Sequence, residues 1–312
     1  MLRQLSKLIV FFLGSLLFSS AGCQSPTSSM DQREDQFFEP AYQPLARAVA
    51  QGDLTAIRQQ LAAGLDVNHV GKQDMTLLMW AIVTKNKRSL TYLLEQGANP
   101  NYKDGQGTQP VGLAAGLDDI DYLRILLDHQ GDPNSEDRGE KALITAILSL
   151  FKPHIYLLLD KGADINVTKK DNQVSAVTLL ANLNQFEDVA NFLNRNADYQ
   201  KASSVGRTLP YAVQDATPNK GTAGYEWQKK VKQMLQERGV HFPVESPLYS
   251  KPAWQPIRQR WYESPQGQVY RARLEELGRD PEGFGEKWRA LHQQEEDAFE
   301  QWMAANNIEQ PD

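Results

Sequence analysis

The chain has 312 residues, of which 41% are hydrophobic and 23% are charged, and its formal net charge is −6. These proportions are those of a folded globular protein, and beyond the first residues no apolar run is long enough to cross a membrane. A net negative charge disfavours nonspecific binding to polyanions, so we expect no nucleic-acid partner.

The first 22 residues are predicted to be an export signal. A basic start with Arg3 and Lys7 precedes the apolar run LIVFFLGSLLF at 8–18, and small residues follow at 19–22. This order is typical of a secretory signal peptide, whose apolar run is too short for a stable membrane-spanning helix. Its removal takes away both cations and changes the formal charge from −6 to −8.

Cys23, the only cysteine, stands directly after this signal. Ala21, Gly22 and Cys23 resemble the lipobox of bacterial lipoproteins, although Ser20 departs from it because leucine is usual there. The resemblance implies that Cys23 is acylated and anchors the chain, and Gln24 implies the periplasmic side of the outer membrane. A free thiol in an ordinary signal peptide is the alternative. Without a second cysteine no disulfide can form within the chain, so packing alone must stabilise the fold.

Residues 23–42 are predicted to be a flexible tether. This segment is polar and charged, and it has few periodic apolar positions. Phe37 and Phe38 are its exception, and we expect them to begin packing on the residues after the tether.

From Pro44 onward the chain repeats a short motif at a nearly constant period. The motif runs from a leucine through a glycine to an asparagine, as in LAAGLDVN at 61–68 and LEQGANPN at 94–101. Its last asparagines stand 33, 33 and 32 residues apart, at Asn68, Asn101, Asn134 and Asn166. A weaker copy is found at 193–200. Such a period indicates an array of similar structural units.

Within each unit the spacing of apolar residues predicts two short helices. In the second unit Leu78 and Ile82 mark one apolar stripe, and Leu90 and Leu94 mark another. Each pair has the i, i+4 spacing of a helix with one buried face. Gly97 then supplies the left-handed conformation that ends the second helix. Because one unit cannot bury its own stripes, we predict that the units stack.

These residues resemble the ankyrin repeat, which pairs a Thr-Pro-Leu-His-type helix start with a Leu-Leu-x-x-Gly-Ala-x-x-Asn close. The resemblance covers roughly residues 43 to 200 and implies an all-α ankyrin-repeat solenoid of five to six helix pairs with hairpin loops. The glycine that usually ends the first helix is present at Gly52 but is replaced by Lys85, Asp118, Leu150 and Asn184. A helical-hairpin solenoid of another family is the alternative.

A degenerate sixth unit and a C-terminal extension complete the predicted organisation. Residues 207–213 resemble a first helix, and a second helix is expected before Gly239 after an inserted loop at 216–223. The repeat domain is therefore predicted at 43–243 and a helical, Trp-rich extension at 244–312. We expect the extension to seal the end of the array, and a dedicated partner-binding domain is the alternative.

No spacing of residues in the chain predicts catalysis. The sequence has no Gly-x-Ser-x-Gly, no His-Glu-x-x-His, no phosphate-binding loop and no cysteine pair. We therefore expect no enzyme activity, no cofactor and no metal site. His69 and His129 follow two copies of the motif, and we interpret them as solvated side chains beside turns. The run QQEED at 293–297 is likewise interpreted as a solvated helix face.

The resemblance implies a protein partner held by the hairpin tips and by the exposed ends of the first helices. Carried over to the second unit, these positions are Lys72, Gln73, Met75, Val83 and Thr84. In the third and fourth units they are Gln106, Thr108, Leu117, Asp137, Arg138, Glu140, Leu148 and Ser149. In the fifth they are Asp171, Asn172, Val174 and Leu183. The set contains apolar residues where solvent favours polar ones, as a binding surface with a desolvated centre requires.

Protein binding is therefore the predicted function. Our first hypothesis is a lipid-anchored periplasmic protein that is monomeric alone and inhibits another protein. The chain resembles ankyrin-repeat lipoproteins and exported ankyrin proteins of Gram-negative bacteria, some of which protect their owner against toxic lipases delivered by type VI secretion. An envelope scaffold or oxidative-stress protection protein is the alternative, and an enzyme built on the tail is a third hypothesis with little support.

Overall fold

The structure is a computed structural model that describes residues 34–244, 247, 253–279 and 284–309. The predicted signal peptide, Cys23 and residues 24–33 lie outside the described residues. The chain divides into two compact units, with the boundary between Ala163 and Asp164.

The described residues of unit 1, from Glu34 onward, form four helix pairs preceded by one short helix. The short helix is α1 (Glu34–Phe37). The pairs are α2 (Gln43–Gln51) with α3 (Leu54–Ala62), α4 (Leu77–Val83) with α5 (Lys87–Glu95), α6 (Pro110–Ala115) with α7 (Ile120–Asp128), and α8 (Ala142–Leu148) with α9 (Lys152–Asp160). A 3-10 turn at Lys72–Asp74 precedes the second pair, and the antiparallel strands β1 (Glu136–Asp137) and β2 (Glu140–Lys141) precede the fourth.

Local hydrogen bonds set the ends of these helices. The Thr76 hydroxyl accepts from the Met79 N–H at 3.1 Å and caps α4, and the Asn86 side chain accepts from the Ser89 N–H at 3.0 Å and caps α5. Gly97 has a φ of +87° after α5, which a residue with a Cβ reaches only with strain. The predicted all-α arrangement of helix pairs is confirmed.

The repeated asparagines connect each repeat to the next one. The Asn68 side chain donates to the Gly97 carbonyl at 3.0 Å and accepts from the Asn99 N–H at 2.7 Å. Asn101 forms the same two bonds with Gln130 and Asp132, at 2.9 Å and 2.7 Å. These bonds explain the period of the motif, because each asparagine satisfies backbone groups in the loop of the following repeat.

Most of the positions where the usual glycine is replaced are left-handed all the same. Lys85 has a φ of +57°, and Leu150 and Asn184 each have a φ of +58°. Asp118 is not among the residues with positive φ. Because a Cβ disfavours this conformation, the fold accommodates strain at three of these turns.

The predicted tether is wrong for its last part, whereas the expected packing of Phe37 and Phe38 is confirmed. Glu34–Phe37 is helical, Phe37 is 8% exposed, and Phe38 is fully buried. The Lys72 ammonium donates to the Asp35 carbonyl at 2.9 Å and holds the helix against the second repeat. Burial of these two adjacent aromatic rings removes a large apolar surface from water, so the folded body includes Glu34–Phe38.

In unit 2 the described residues form two further helix pairs and three helices of the C-terminal extension. The pairs are α10 (Ala176–Asn182) with α11 (Phe186–Asn194), and α12 (Leu209–Asp215) with α13 (Ala223–Glu237). The extension contains α14 (Gln255–Glu263), α15 (Pro265–Arg279) and α16 (Phe284–Ala305). The sixth helix pair therefore stands where the sequence predicts it, with residues 216–222 as the inserted loop between its helices.

The extension packs through its tryptophans. Trp254, Trp261, Phe299 and Met303 form one buried cluster. Trp288 packs edge-on against Tyr211 of α12, with ring centroids 5.8 Å apart. This second contact covers the sixth helix pair, as a sealing segment would.

One residue of the extension departs from the predicted solvated face. The Glu295 carboxylate is 2% exposed and lies 2.6 Å from the Arg258 guanidinium, whose side chain is 3% exposed. The QQEED run is therefore not uniformly solvated, because this one position faces the buried side of α16.

A candidate protein-binding groove

A groove in unit 1 lies between the first helices of the repeats and the loops that precede them. Its cavity volume is about 530 Å³. Its apolar lining comes from Phe37, Met75, Met79, Trp80, Val83 and Leu113. Charged and polar residues surround this lining, among them Arg47, Lys85, Asp104, Gln106, Asp137 and Arg138. An apolar centre with a polar rim is the usual anatomy of a protein interface.

Trp80 forms the floor of the groove. It occupies the position that Leu113 holds in the next repeat, and it is 3% exposed. Its indole N–H donates to the Ala46 carbonyl at 2.8 Å, and its ring lies 5.6 Å from the Phe37 ring and 5.9 Å from the Phe38 ring. These contacts fix the indole in one orientation, so the floor is formed before a partner arrives.

The hairpin side of the groove is held by a chain of polar contacts. The Asp74 carboxylate accepts from the Gly105 N–H at 3.0 Å, and Asp104 accepts from the Thr108 N–H at 2.7 Å. The Thr108 hydroxyl donates to the Asp137 carboxylate at 2.9 Å. Successive loops are thereby joined to one another, which reduces the conformational entropy that a partner would have to restrict.

Glu136 anchors the hairpin that carries Asp137 and Arg138. Its carboxylate lies 2.7 Å from both the Lys103 and the Lys141 ammonium groups. Hydrogen bonds from these two lysines lower the pKa of Glu136 to about 2, so the anchor stays ionised well below neutral pH. Gly112 allows the hairpin to approach closely, because a Cβ there would come within 2.2 Å of the Glu136 carbonyl group.

The structure brings most of the binding positions predicted in unit 1 to this groove. Those that line it are Gln73, Met75, Val83, Thr84, Gln106, Thr108, Asp137 and Arg138. Val83 is 40% exposed, as an apolar contact residue should be. Thr108, by contrast, is 8% exposed, and its hydroxyl is engaged by Asp137.

The other predicted positions lie elsewhere. In unit 1, Lys72, Leu117, Glu140, Leu148 and Ser149 are outside the groove lining. In unit 2, Asp171, Asn172, Val174 and Leu183 belong to the other compact unit. The expectation that Val174 is solvent-exposed is wrong: it is 6% exposed, because it begins the approach to α10 and turns into the core.

Several groove residues were missed by the sequence reasoning. Glu34 and Phe37 precede the first motif copy, so the period could not include them. Arg47, Met79 and Leu113 lie inside first helices, where the apolar pattern indicates the core. The signal that could have found the floor is Trp80, a larger ring than the leucine expected at its position.

A second depression adjoins the groove at Lys85, which lines both. Its volume is about 790 Å³, and Lys87, Arg88, Leu117 and Asp118 also line it. The Lys87 ammonium lies 2.6 Å from each of the Asp119 and Asp121 carboxylates. Hydrogen bonds from these carboxylates raise the pKa of Lys87 above its usual value. We call this depression the basic cleft.

The histidines of the motif are not placed as metal ligands would be. The His69 ring stacks on Tyr42 with centroids 3.5 Å apart, and its Nε2 lies 2.9 Å from the Glu39 carboxylate. His129 Nδ1 lies 2.8 Å from the Ile125 carbonyl. Across the described ranges, no three His, Cys, Asp or Glu side chains gather as a metal site requires.

No helix in the part of the chain that the structure describes has both the length and the apolar composition needed to cross a bilayer.

Comparison with known proteins agrees with this architecture. A family model described as ankyrin repeats, in three copies, matches residues 45–137. The chain contains ankyrin repeats. The ankyrin repeat domain of Bcl-3 has a TM-score of 0.53 and 22% identity, and the match covers 68% of this chain and 92% of that one. This likeness shows the fold alone.

Two curated relatives match the repeats in sequence. Protein PhlB of Serratia liquefaciens is 34% identical over 128 residues, which are 40% of this chain and 56% of that protein. The putative ankyrin repeat protein YahD of Escherichia coli K12 is 30% identical over 91 residues, 29% of this chain and 45% of that protein. The chain thus spans about half the length of each relative. Ankyrin repeats are modules of protein–protein interaction and are generally not enzymes. The groove suits this role in protein binding.

Proposed function

We propose that the groove of unit 1 is the site at which this ankyrin-repeat protein binds another protein. The observation that carries the proposal is the apolar floor around Trp80, with Val83 exposed beside it and polar side chains around both. Binding there removes apolar surface from water. Little conformational entropy is lost, because contacts within the chain already fix the floor and the loops.

We further propose that binding inhibits the partner, and that the chain is an immunity protein against a secreted lipase. The support is the resemblance of the first 23 residues to a lipoprotein signal ending at Cys23, which would place the groove in the periplasm near a membrane. An inhibitor tethered there would meet a membrane-attacking enzyme on arrival. The partner would then be inactivated at a ratio of one molecule to one.

Protection of living cells tests this proposal. A candidate lipase, chosen from any that the genes next to this one encode, is directed to the periplasm of a laboratory bacterium, with or without the chain, and viability and phospholipid hydrolysis are measured. The unaltered chain and Leu148→Asp should protect, since Leu148 is an exposed aliphatic residue outside the groove. Val83→Asp should not protect.

Two results would contradict the proposal. Equal protection by Val83→Asp would remove the groove from the mechanism. The stress-protection alternative would be favoured if the unaltered chain gave no protection against the lipase and cells survived oxidant stress only when the chain was present.

A further inference from the structure

The cations at one end of the groove differ in whether they already have partners. Lys87 is held between Asp119 and Asp121, and the Arg47 guanidinium lies 3.3 Å from the Glu34 carboxylate. Lys85 and Arg88 are both exposed, and among the described residues the side chain of neither forms a hydrogen bond or an ion pair. A partner segment bound in the groove could therefore form ion pairs with these two cations.

These two cations lie along a continuous path from the groove. Lys85 lines the groove and the basic cleft, and Arg88 lines the basic cleft. The lining of the cleft contains three cations, Lys85, Lys87 and Arg88, and two carboxylates, Asp118 and Asp119, so its local balance is positive. The whole chain, in contrast, carries a formal charge of −6. The end of the groove at Lys85 would thus attract an acidic segment that the rest of the surface repels.

The carboxylates on the hairpin side of the groove are less available to attract a basic segment. Asp104 already accepts hydrogen bonds from the Gln106 and Thr108 amides, and Asp137 accepts from the Thr108 hydroxyl. Their lone pairs are partly used in holding the loops. The available charge of the groove and cleft is therefore concentrated at Lys85 and Arg88.

We propose that the partner segment bound here is amphipathic and acidic. One apolar side chain rests on the floor formed by Met79, Trp80 and Val83, and carboxylates that follow it in the segment pass Lys85 and pair with Arg88. This inference rests on the proposed function, since it requires that the groove binds protein. It adds the chemistry by which the partner is recognised and the direction in which it leaves the groove.

Peptide selection tests this chemistry without knowledge of the natural partner. A library of random 12-residue peptides displayed on phage is selected on the full chain without its signal, and clones that also bind Val83→Asp are discarded. The remaining peptides should carry an aliphatic or aromatic residue followed within a few positions by Asp or Glu. A synthetic peptide of this kind should bind Lys85→Glu/Arg88→Glu about tenfold more weakly than it binds the unaltered chain. Its binding to the unaltered chain should weaken as the salt concentration rises.

The matched control is Lys229→Glu/Lys230→Glu. It produces the same change in net charge at two exposed positions of unit 2, so it should leave binding unchanged. An equal loss in this control would mean that net charge, rather than Lys85 and Arg88, governs affinity, and would overturn the proposal.

The remaining outcomes separate this inference from the proposed function. Val83-dependent peptides without carboxylates, bound equally by Lys85→Glu/Arg88→Glu, would overturn the acidic segment and leave the groove standing. Failure to recover any Val83-dependent peptide would overturn both. A dimer seen by light scattering and lost in Val83→Asp would identify a second copy of the chain as the occupant, and would also overturn the proposal.

Discussion

The Phe37 ring lies 5.6 Å from the Trp80 ring, and thereby joins the segment before the first repeat to the floor of the groove. The contact is reinforced by Arg47, whose guanidinium lies 3.3 Å from the buried Glu34 carboxylate at the start of the same helix. The N-terminal helix is thus part of the candidate binding site, and its loss would change the groove as well as the stability of unit 1.

Phe37→Ala should separate this helix from the second repeat. Removal of a buried phenyl ring costs about 3 kcal/mol in typical cores, and here the loss should be concentrated at the N-terminal edge. Hydrogen exchange should therefore accelerate at Phe38 and around Trp80 far more than in α9. Gln36→Ala, a change at an exposed position of the same helix, is the control. Unchanged exchange in Phe37→Ala would contradict the contact.

Asn101→Ala should weaken the connection between the second and third repeats. The substitution removes a bond to the Gln130 carbonyl and one from the Asp132 N–H, at an exposed position. We expect a loss of about 1–2 kcal/mol in the free energy of unfolding, measured with urea. Asn101→Asp keeps the acceptor oxygen and loses the donor, so its effect should be intermediate. Equal stability of all three chains would refute the role assigned to the repeated asparagines.

Leu150→Gly should stabilise the chain. Leu150 has a φ of +58° and is 52% exposed, so glycine relieves the steric strain while little packing is lost. Relief of this strain, less the entropy that glycine adds to the unfolded chain, leaves a gain of about 1 kcal/mol. Leu148→Gly is the matched control, and it should destabilise because Leu148 is helical. The melting temperatures of the two variants should move in opposite directions, and a fall in both would show that Leu150 is not strained.

The motif period was sufficient to predict the helix pairs, because it combines two independent signals. Apolar spacing marks the buried faces, and the glycine and asparagine of each close mark the turns, where Gly97 is left-handed and Asn68 bonds the next repeat. The groove was harder to predict. Whether a residue such as Met79 lines a surface or only the core depends on how closely the neighbouring loop approaches, and that approach depends on contacts such as Gly112 with Glu136.

The edges of the fold were the least predictable from sequence. Phe37 lies before the first repeat, where no periodicity extends, and polar composition favoured a linker there. Glu295 lies in an acidic run that composition assigns to solvent, yet the buried Arg258 makes an ion pair possible at this one position. A partner far away in the sequence leaves no local signal.

His154 should make the stability of unit 1 depend on pH. It is 2% exposed, and burial lowers the pKa of its imidazole. The Leu117 carbonyl and Asp119 raise this pKa, but by less than burial lowers it. The folded chain then keeps His154 neutral at a pH where the unfolded chain binds a proton. Stability is complete above the usual histidine pKa of about 6.5 and falls as the pH drops below it, by at most about 1.4 kcal/mol per pH unit.

His154→Leu should remove this contribution while filling a similar volume. Urea midpoints measured from pH 7.5 to pH 5 should fall less steeply in the variant than in the unaltered chain. Parallel curves would mean that the imidazole is protonated at no cost in the fold.

Site-specific photo-crosslinking tests the groove most directly. A benzophenone amino acid is placed at Val83 or at Leu148, which end the first helices of two repeats and are 40% and 44% exposed. Each full-length chain is irradiated in a whole-cell extract of the organism that carries it. A partner bound in the groove should give a discrete protein adduct from position 83 and none from position 148. Adducts from position 148 alone, or the same adducts from both positions, would contradict it.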